Sequence, residues 1–334
     1  MYMRFLSVIN LICFFLCEIG CASIDGSVEY NNYYVIDGNL DINSEYFAVF
    51  GDIQEYTFKD DMMAYYDTTI VWIKQQLYGG VKLRSILEVG DITHNNINQQ
   101  WQRFYNSTES IGSIIPYYVV TGNHDYTWNS SSKIELRESS LIDKYCHFPK
   151  TKSGIISCFE GNSLQNYIAD FFVDNRKLYL LALEFGPRQE VLKWAFEYVN
   201  NHKEKQFILL THEWLDSNGK RISTGSSAEF QFQGYSSYST PEQVWQYLVE
   251  PNDNIICVLC GHCGFTAKCF SKNEKGRMVP QIMFNLQYQD NGGNGLLQLW
   301  EFPVNIDSVR ICVYDTKNRD WYLPDSTSFS FSLE

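Results

Sequence analysis

The sequence predicts an α/β domain, and three features carry that prediction. Five hydrophobic runs each end in Gly or Thr followed by Asp, Asn or His. Stretches with apolar residues at helical spacing lie between the first three runs, and the chain closes on a β-rich region. Strand–helix–strand alternation implies parallel pairing with right-handed crossovers. Strands that end in polar residues deliver side chains to the carboxyl edge of a sheet, where open α/β folds place their sites.

After a polar lead-in rich in Tyr and Asn, a strand over 46–50 opens the domain and runs into Gly51-Asp52-Ile53-Gln54. Residues 60–78 read as the first crossover helix: Met63, Tyr66, Ile70, Trp72, Ile73 and Leu77 recur at helical spacing, and the charged and amide residues form a solvated face. The run 85–89 ends in Gly90-Asp91-Ile92-Thr93-His94, and a second helix over 96–113 precedes the run 114–120, which ends in Gly122-Asn123-His124-Asp125. From 126 to 161 the pattern loosens into a long insertion, and insertions after a site strand shape substrate access.

Residues 166–173 and 178–184 alternate as strands, and 190–201 form a helix. Between them, Arg188 reads either as a phosphate ligand or as a helix-capping residue. The run 207–210 ends in Thr211-His212-Glu213, and 216–233, polar and rich in Gly and Ser, read as a mobile loop over the site. A helix over 241–249 leads into the run 255–260 and Gly261-His262-Cys263-Gly264. Strands over 282–288, 296–302, 309–314 and 326–333 complete the chain. Residues 290–295 are a turn and not a phosphate cradle, because no helix follows them.

The strand ends offer, in order, Asp52, Asp91, Asn123, His212 and His262. Carboxylate and amide oxygens mixed with imidazoles suit Mn, Fe or Zn in a shared site. Packing alone does not explain five such endings in one chain.

The series GD…GD…GNHD…H…GH resembles the calcineurin-like metallophosphoesterases from about residue 46 to 262, and both the stretch 183–188 and the tail 287–333 are similar to a secreted, mostly bacterial branch of that superfamily. The resemblance implies a two-sheet β-sandwich flanked by helices. It also implies hydrolysis of a phosphate mono- or diester by metal-activated hydroxide at a two-metal site. Asp91 matches the bridging carboxylate, and Asn123, His212 and His262 match the other ligands of the second metal. Asp52 matches the carboxylate of the first metal. There the pattern degenerates: Gln54 stands in place of the usual histidine, and Gly264 in place of the second histidine of the closing motif. A glutamine oxygen is the weaker ligand, and glycine offers only its backbone. His94 reads either as a compensating ligand or as a residue beside the site. By the same resemblance, His124 stabilises the transferring phosphoryl group or protonates the leaving oxygen, oriented by Asp125. A second reading is a catalytically weak or inactive member that binds a ligand or partner. The glycine at 264 favours that reading, while intact Asp52, His124 and Asp125 favour the enzyme.

Composition sets the outer bounds. The 334 residues, 45% hydrophobic, suffice for one large domain over 23–334, and no Pro/Gly/Ser-rich linker divides them. Residues 1–22 are laid out as a signal peptide, with Arg4 before the apolar run 5–17 and Gly20-Cys21-Ala22 at the cleavage point. The protein is therefore expected to be secreted or extracytoplasmic, with no transmembrane segment after the signal is removed. A net charge of −13 repels nucleic-acid backbones and points to a small phosphorylated substrate. In an exported chain, Cys146–Cys158 and Cys263–Cys269 are the expected local disulfides. Cys257 and Cys260 lie within one strand, where their sulfurs need not meet. Asn106 and Asn129 open glycosylation sequons, of use in a eukaryotic host.

Overall fold

Strand Glu45–Phe50 is buried along almost its whole length, because it is covered on both faces. It pairs in parallel with Lys82–Glu88, which pairs in parallel with Tyr117–Val119. On its other side it runs antiparallel to Leu296–Phe302, followed by Ser308–Asp315, on which Asp320–Tyr322 and Phe329–Ser332 pack. A second sheet has the same plan. Arg176–Ala182, Gln206–Leu210, Ile255–Cys260 and Met278–Phe284 form its parallel centre. Tyr167–Val173 and Ile155–Cys158 extend one edge antiparallel, and Thr266–Lys272 closes the other. The structure, a computed structural model, describes residues 40–129, 134–227, 238–322 and 327–333. All of them belong to one unit, Asn31–Glu334.

One apolar core joins the two sheets: Phe47 of the first meets Phe171 of the second edge-on at 4.9 Å. Full burial of each such side chain contributes about 1.5–3 kcal/mol. A second core lies under helix Gln189–Asn200 and the helical turns Pro241–Val244 and Trp245–Val249. The expected helices are present as Met63–Tyr78 and Asn98–Gly112, and the expected two-sheet sandwich with flanking helices is the architecture. Strand Ile255–Cys260 puts Cys257 into the inter-sheet core and Cys260 into the outer one, so their sulfurs do face opposite ways.

Several expectations need correction. The last part of 282–288 is not strand: Met278–Phe284 ends early, and Asn285, Leu286 and Gln287 turn into the site. The short helix Gln54–Phe58 was not foreseen; it forms because Tyr56 is buried and Thr57 Oγ1 donates to Ile92 O at 2.8 Å. The seven cysteines among the described residues are free thiols, so Cys146–Cys158 and Cys263–Cys269 are not bridged. Cys146 is buried in the inter-sheet core, and Cys269 Sγ lies against Ser271 Oγ at 3.6 Å. The described part of 216–233 is pinned, not mobile: Arg221 bonds Glu242, Ser271 and Gln281 and lies 4.1 Å over the Trp245 ring. The expected signal peptide over 1–22, residues 228–233 and part of the Asn129 sequon lie outside the described residues. No helix among the described residues is long and apolar enough to cross a membrane.

Candidate metal centre

The parallel strands of the first sheet end at Asp52, Asp91 and Asn123, and two of the second sheet end at His212 and His262. The fold brings these ends together. Asp91, His212 and His262 each offer a ligand atom, all within 4.8 Å of one another. His212 Nε2 lies 3.2 Å from Asp91 Oδ2 and 3.2 Å from His262 Nδ1. Two of these ligands sit in left-handed backbone, Asp91 at φ 52° and His262 at φ 74°. Such strain costs about 1–3 kcal/mol per residue and persists where the surroundings over-determine it.

Close approach dictates the glycines before the ligands. A Cβ at Gly122 would collide with Asp91 Oδ1, and one at Gly261 with Asp52 Oδ1. Gly51 instead leaves room for the backbone of Asn285, and Gly90 for Gly122 N and His212 Nδ1.

The donor set fits a divalent cation. His212 is fully buried and donates Nδ1–H to Val89 O at 2.8 Å, so its neutral form turns the Nε2 lone pair inward. Asn123 Oδ1 is a buried oxygen without a hydrogen-bond partner, and Asp91 Oδ2 has only His212 Nε2 beside it, at 3.2 Å. Buried oxygens gathered beside imidazoles are satisfied by a positive charge, a proton on His212 or a cation in its place. Burial opposes charge on His212, yet Asp91 and then Asp52 outweigh it and push its pKa up to about 10. Burial and then the charge on His212 hold His262 down to about 3. Burial would raise Asp91, but His212 and His124 more than offset it and hold its carboxyl below the usual range. Asp91, His212 and His262 would hold an ion at this position; Asn123, expected as a fourth ligand, has a buried Oδ1 without a partner.

The remaining predicted residues divide. Asp52 is fully buried and accepts from His262 N at 3.2 Å, and burial pushes it up to about 7 with His212 pulling the other way. His124 N–H donates to Asp91 Oδ1 at 2.9 Å, and its Nδ1–H donates to His94 O at 2.8 Å, which leaves Nε2 as the acceptor. Asp125 does not orient His124. Its carboxylate takes N–H groups of Gly122, Ile92 and Thr93 at 2.8–3.2 Å, together with the Thr93 hydroxyl, and so ties the Asp91 turn to the Asn123 turn. His94 contributes its carbonyl to His124; its ring stacks on Phe58 at 4.4 Å with Nδ1 3.7 Å from Glu55. Arg188 stands at the N-cap position of helix Gln189–Asn200 without a side-chain cap bond; its guanidinium is taken by acidic partners, Nε and Nη2 by the fully buried Glu184 and Nη1 by Glu160. Gln54 lies beside Asp52, with Nε2 bonded to Gln287 Oε1.

Two residues at the site escaped the sequence reading. Phe185 packs on His212 at 5.7 Å and His262 at 5.6 Å, closing the apolar side of the imidazoles. Gln287 bonds Asp52 Oδ2 at 3.1 Å and His262 O at 3.0 Å. Gln287 carried a signal: Met278–Phe284 is one more parallel strand whose exit is polar, Asn285-Leu286-Gln287.

The comparisons agree with this geometry. The profile of the calcineurin-like phosphoesterase family matches residues 45–263. An uncharacterized protein, YvnB, of Bacillus subtilis (strain 168) is 26% identical over 289 residues, which is 80% of this chain and 20% of that protein. A probable inactive purple acid phosphatase 1 of Arabidopsis thaliana is 27% identical over 115 residues, 34% of this chain and 14% of that protein. The chain thus spans about a fifth or less of the length of these curated relatives. Among solved structures, the purple acid phosphatase PPD1 of yellow lupin seeds shares the fold with a TM-score of 0.50 at 14% identity, over 88% of this chain and 54% of that one. With the matched profile spanning most of the chain and the strand-end ligands converging inside it, the protein belongs to the calcineurin-like phosphoesterase family.

Proposed function

We propose that the chain is a metal-dependent phosphoesterase acting on a small phosphate mono- or diester, exported by its N-terminal leader. The observation that carries this reading is the buried cluster of Asp91, His212 and His262, whose ligand atoms lie within 4.8 Å of one another, with the buried Asn123 Oδ1 left without a hydrogen-bond partner. A divalent ion held by these four residues supplies positive charge for phosphoryl oxygens and lowers the pKa of water. The rest is the work of the chain. His124, with Nδ1–H committed to His94 O, presents Nε2 to accept a proton or, once protonated, to give one to the leaving oxygen. Asp125 holds the two ligand turns in register, and Phe185 keeps water from the back of the imidazoles.

The net charge of −13 argues for a small substrate and against a nucleic acid. Metal analysis of the purified chain, alongside hydrolysis of generic aryl mono- and diesters with and without chelator, tests the reading. Turnover that depends on metal is expected, and Asn123→Ala should lose about tenfold or more in rate. Full activity in chelator would sink it. One observation favours a second reading, a weak or inactive member that binds a ligand: position 264 is glycine, and its Cβ direction leads to Met283 and Ser217. Tight metal binding with no turnover on either ester class would select that reading.

A further inference from the structure

Two clusters of buried polar atoms meet at this centre, and they differ in how they are satisfied. Around Asp91 the nearest groups are imidazoles: Oδ2 has only His212 Nε2 beside it, at 3.2 Å, and Asn123 Oδ1 is buried without a partner. Around Asp52 the acceptors already have donors. Its carboxylate accepts His262 N–H at 3.2 Å and Gln287 Nε2–H at 3.1 Å. The other Nε2 hydrogen of Gln287 reaches His262 O at 3.0 Å, and Gln287 Oε1 accepts from Gln54 Nε2. The two hydrogens of one amide nitrogen thus bridge a carboxylate and a carbonyl, the kind of oxygen pair a hard cation would take. The other ligands such an ion would need are turned elsewhere. A side chain at Gly264 would meet Met283 Cε and Ser217 Cβ at 3.2 Å, and the His94 ring is stacked on Phe58 at 4.4 Å, its Nδ1 buried and without a hydrogen bond.

We propose that Gln287 stands in the place of the first ion, so that the centre holds one divalent ion and not two. The inference rests on the reading of Asp91, Asn123, His212 and His262 as a metal site. In this arrangement Gln287 fixes Asp52, and Asp52 fixes the backbone of His262, one of the ligands of the single ion. Gln287 is therefore a positioning residue. The amide nitrogen supplies in two N–H bonds what a cation would supply as charge. Gln54 Oε1, buried and without a donor, is the oxygen that would complete a second site if the amide were converted to an acceptor.

The isosteric change Gln287→Glu does this conversion. It keeps an acceptor for Gln54 Nε2 and replaces the bridging Nε2 by an oxygen that faces Asp52 Oδ2 and His262 O. The full chain is loaded with Mn or Zn, dialysed at pH 8, and its metal counted by mass spectrometry and by calorimetric titration. Wild type should take one ion per chain. Gln287→Glu should take two, and its melting temperature should fall in chelator and recover as the second ion is added. Two ions of comparable affinity in wild type would overturn the inference while leaving the metal centre standing. No bound ion in wild type would overturn the metal-centre reading itself, and this inference with it. If Gln287→Glu stays folded by circular dichroism yet still takes one ion, Gln287 is not the stand-in. Should that variant not fold, the wild-type count decides alone.

Discussion

Asp52 and Asp91 follow glycine at the ends of neighbouring parallel strands, and both are buried. Their surroundings are nevertheless opposite. Asp91 Oδ2 has only imidazole beside it, whereas Asp52 is bonded to a backbone N–H and to an amide that comes from 235 residues further along the chain. The same Gly-Asp pair therefore puts a carboxylate at the sheet edge in both strands, but the backbone differs, left-handed at Gly90 and Asp91 alone, and so does the chemistry. What separates a ligand from a scaffold is the partner that the other sheet delivers.

The largest effect should separate the two aspartates directly. Asp91→Asn should weaken metal binding by about 10–100-fold or more, and hydrolysis with it, because an oxygen and a charge leave the ligand set. Asp52→Asn should cost less than about tenfold in affinity, yet lose about 1–3 kcal/mol of stability because one of its N–H partners then meets another N–H. Equal losses of affinity in calorimetric titrations would erase the distinction.

The two glycines sharpen it. Gly122→Ala drives a methyl group onto Asp91 Oδ1 and Gly261→Ala drives one onto Asp52 Oδ1, so each should destabilise by about 1–3 kcal/mol. Only Gly122→Ala should also displace a ligand, and chemical denaturation alongside metal titration reads both quantities. A Gly261→Ala protein that loses its ion as completely would contradict the contrast.

Glu88 tests the electrostatics behind the strand ends. Burial raises its pKa well above 4.5, with Asp52 and Asp125 adding to the rise, and Tyr117 OH donates to it at 3.0 Å. The folded state thus keeps a proton that the unfolded state releases above about pH 4.5. Stability is fullest below that pH and falls as pH rises through the window up to the folded value, by at most about 1.4 kcal/mol per unit. Glu88→Gln cannot ionise, so its melting temperature should lose this dependence and exceed wild type at pH 8. Parallel pH profiles for the two proteins would show that Glu88 does not titrate in this way.

The smallest expected change is a null one in affinity. Gly264 lies at φ +68°, and a side chain there would point at Met283 and Ser217, so Gly264→His should not tighten the metal. It should instead lose about 1 kcal/mol from left-handed strain. A clear gain in metal affinity would place position 264 at the site.

Much of this was legible before any coordinates. A buried parallel strand must end somewhere, and a polar residue after glycine at that end is exposed to whatever the sheet edge holds; five such endings imply convergence. That logic located Asp52, Asp91, Asn123, His212 and His262, and the resemblance supplied the two-sheet arrangement. It mis-assigned Asp125 and left Arg188 open between phosphate and helix cap. A carboxylate next to a histidine in sequence looks like its orienting partner, but the tight turn at Asn123 sends Asp125 back to the amides of Gly122, Ile92 and Thr93. Arg188 looks available for phosphate until the strand end places Glu184 under it.

By itself the sequence determined the alternation of elements, the strand ends and the ligand types, because each depends on residues within a few positions of one another. Tertiary structure alone decided which of two equal aspartates is left open. That depends on a hydrogen bond from Gln287, on Phe185 against two imidazoles, and on where the Cβ at position 264 points. These are contacts between strands far apart in the chain. Local pattern carries no information about them, since the direction of a side chain at a sheet edge is set by the twist and pairing of the whole sheet.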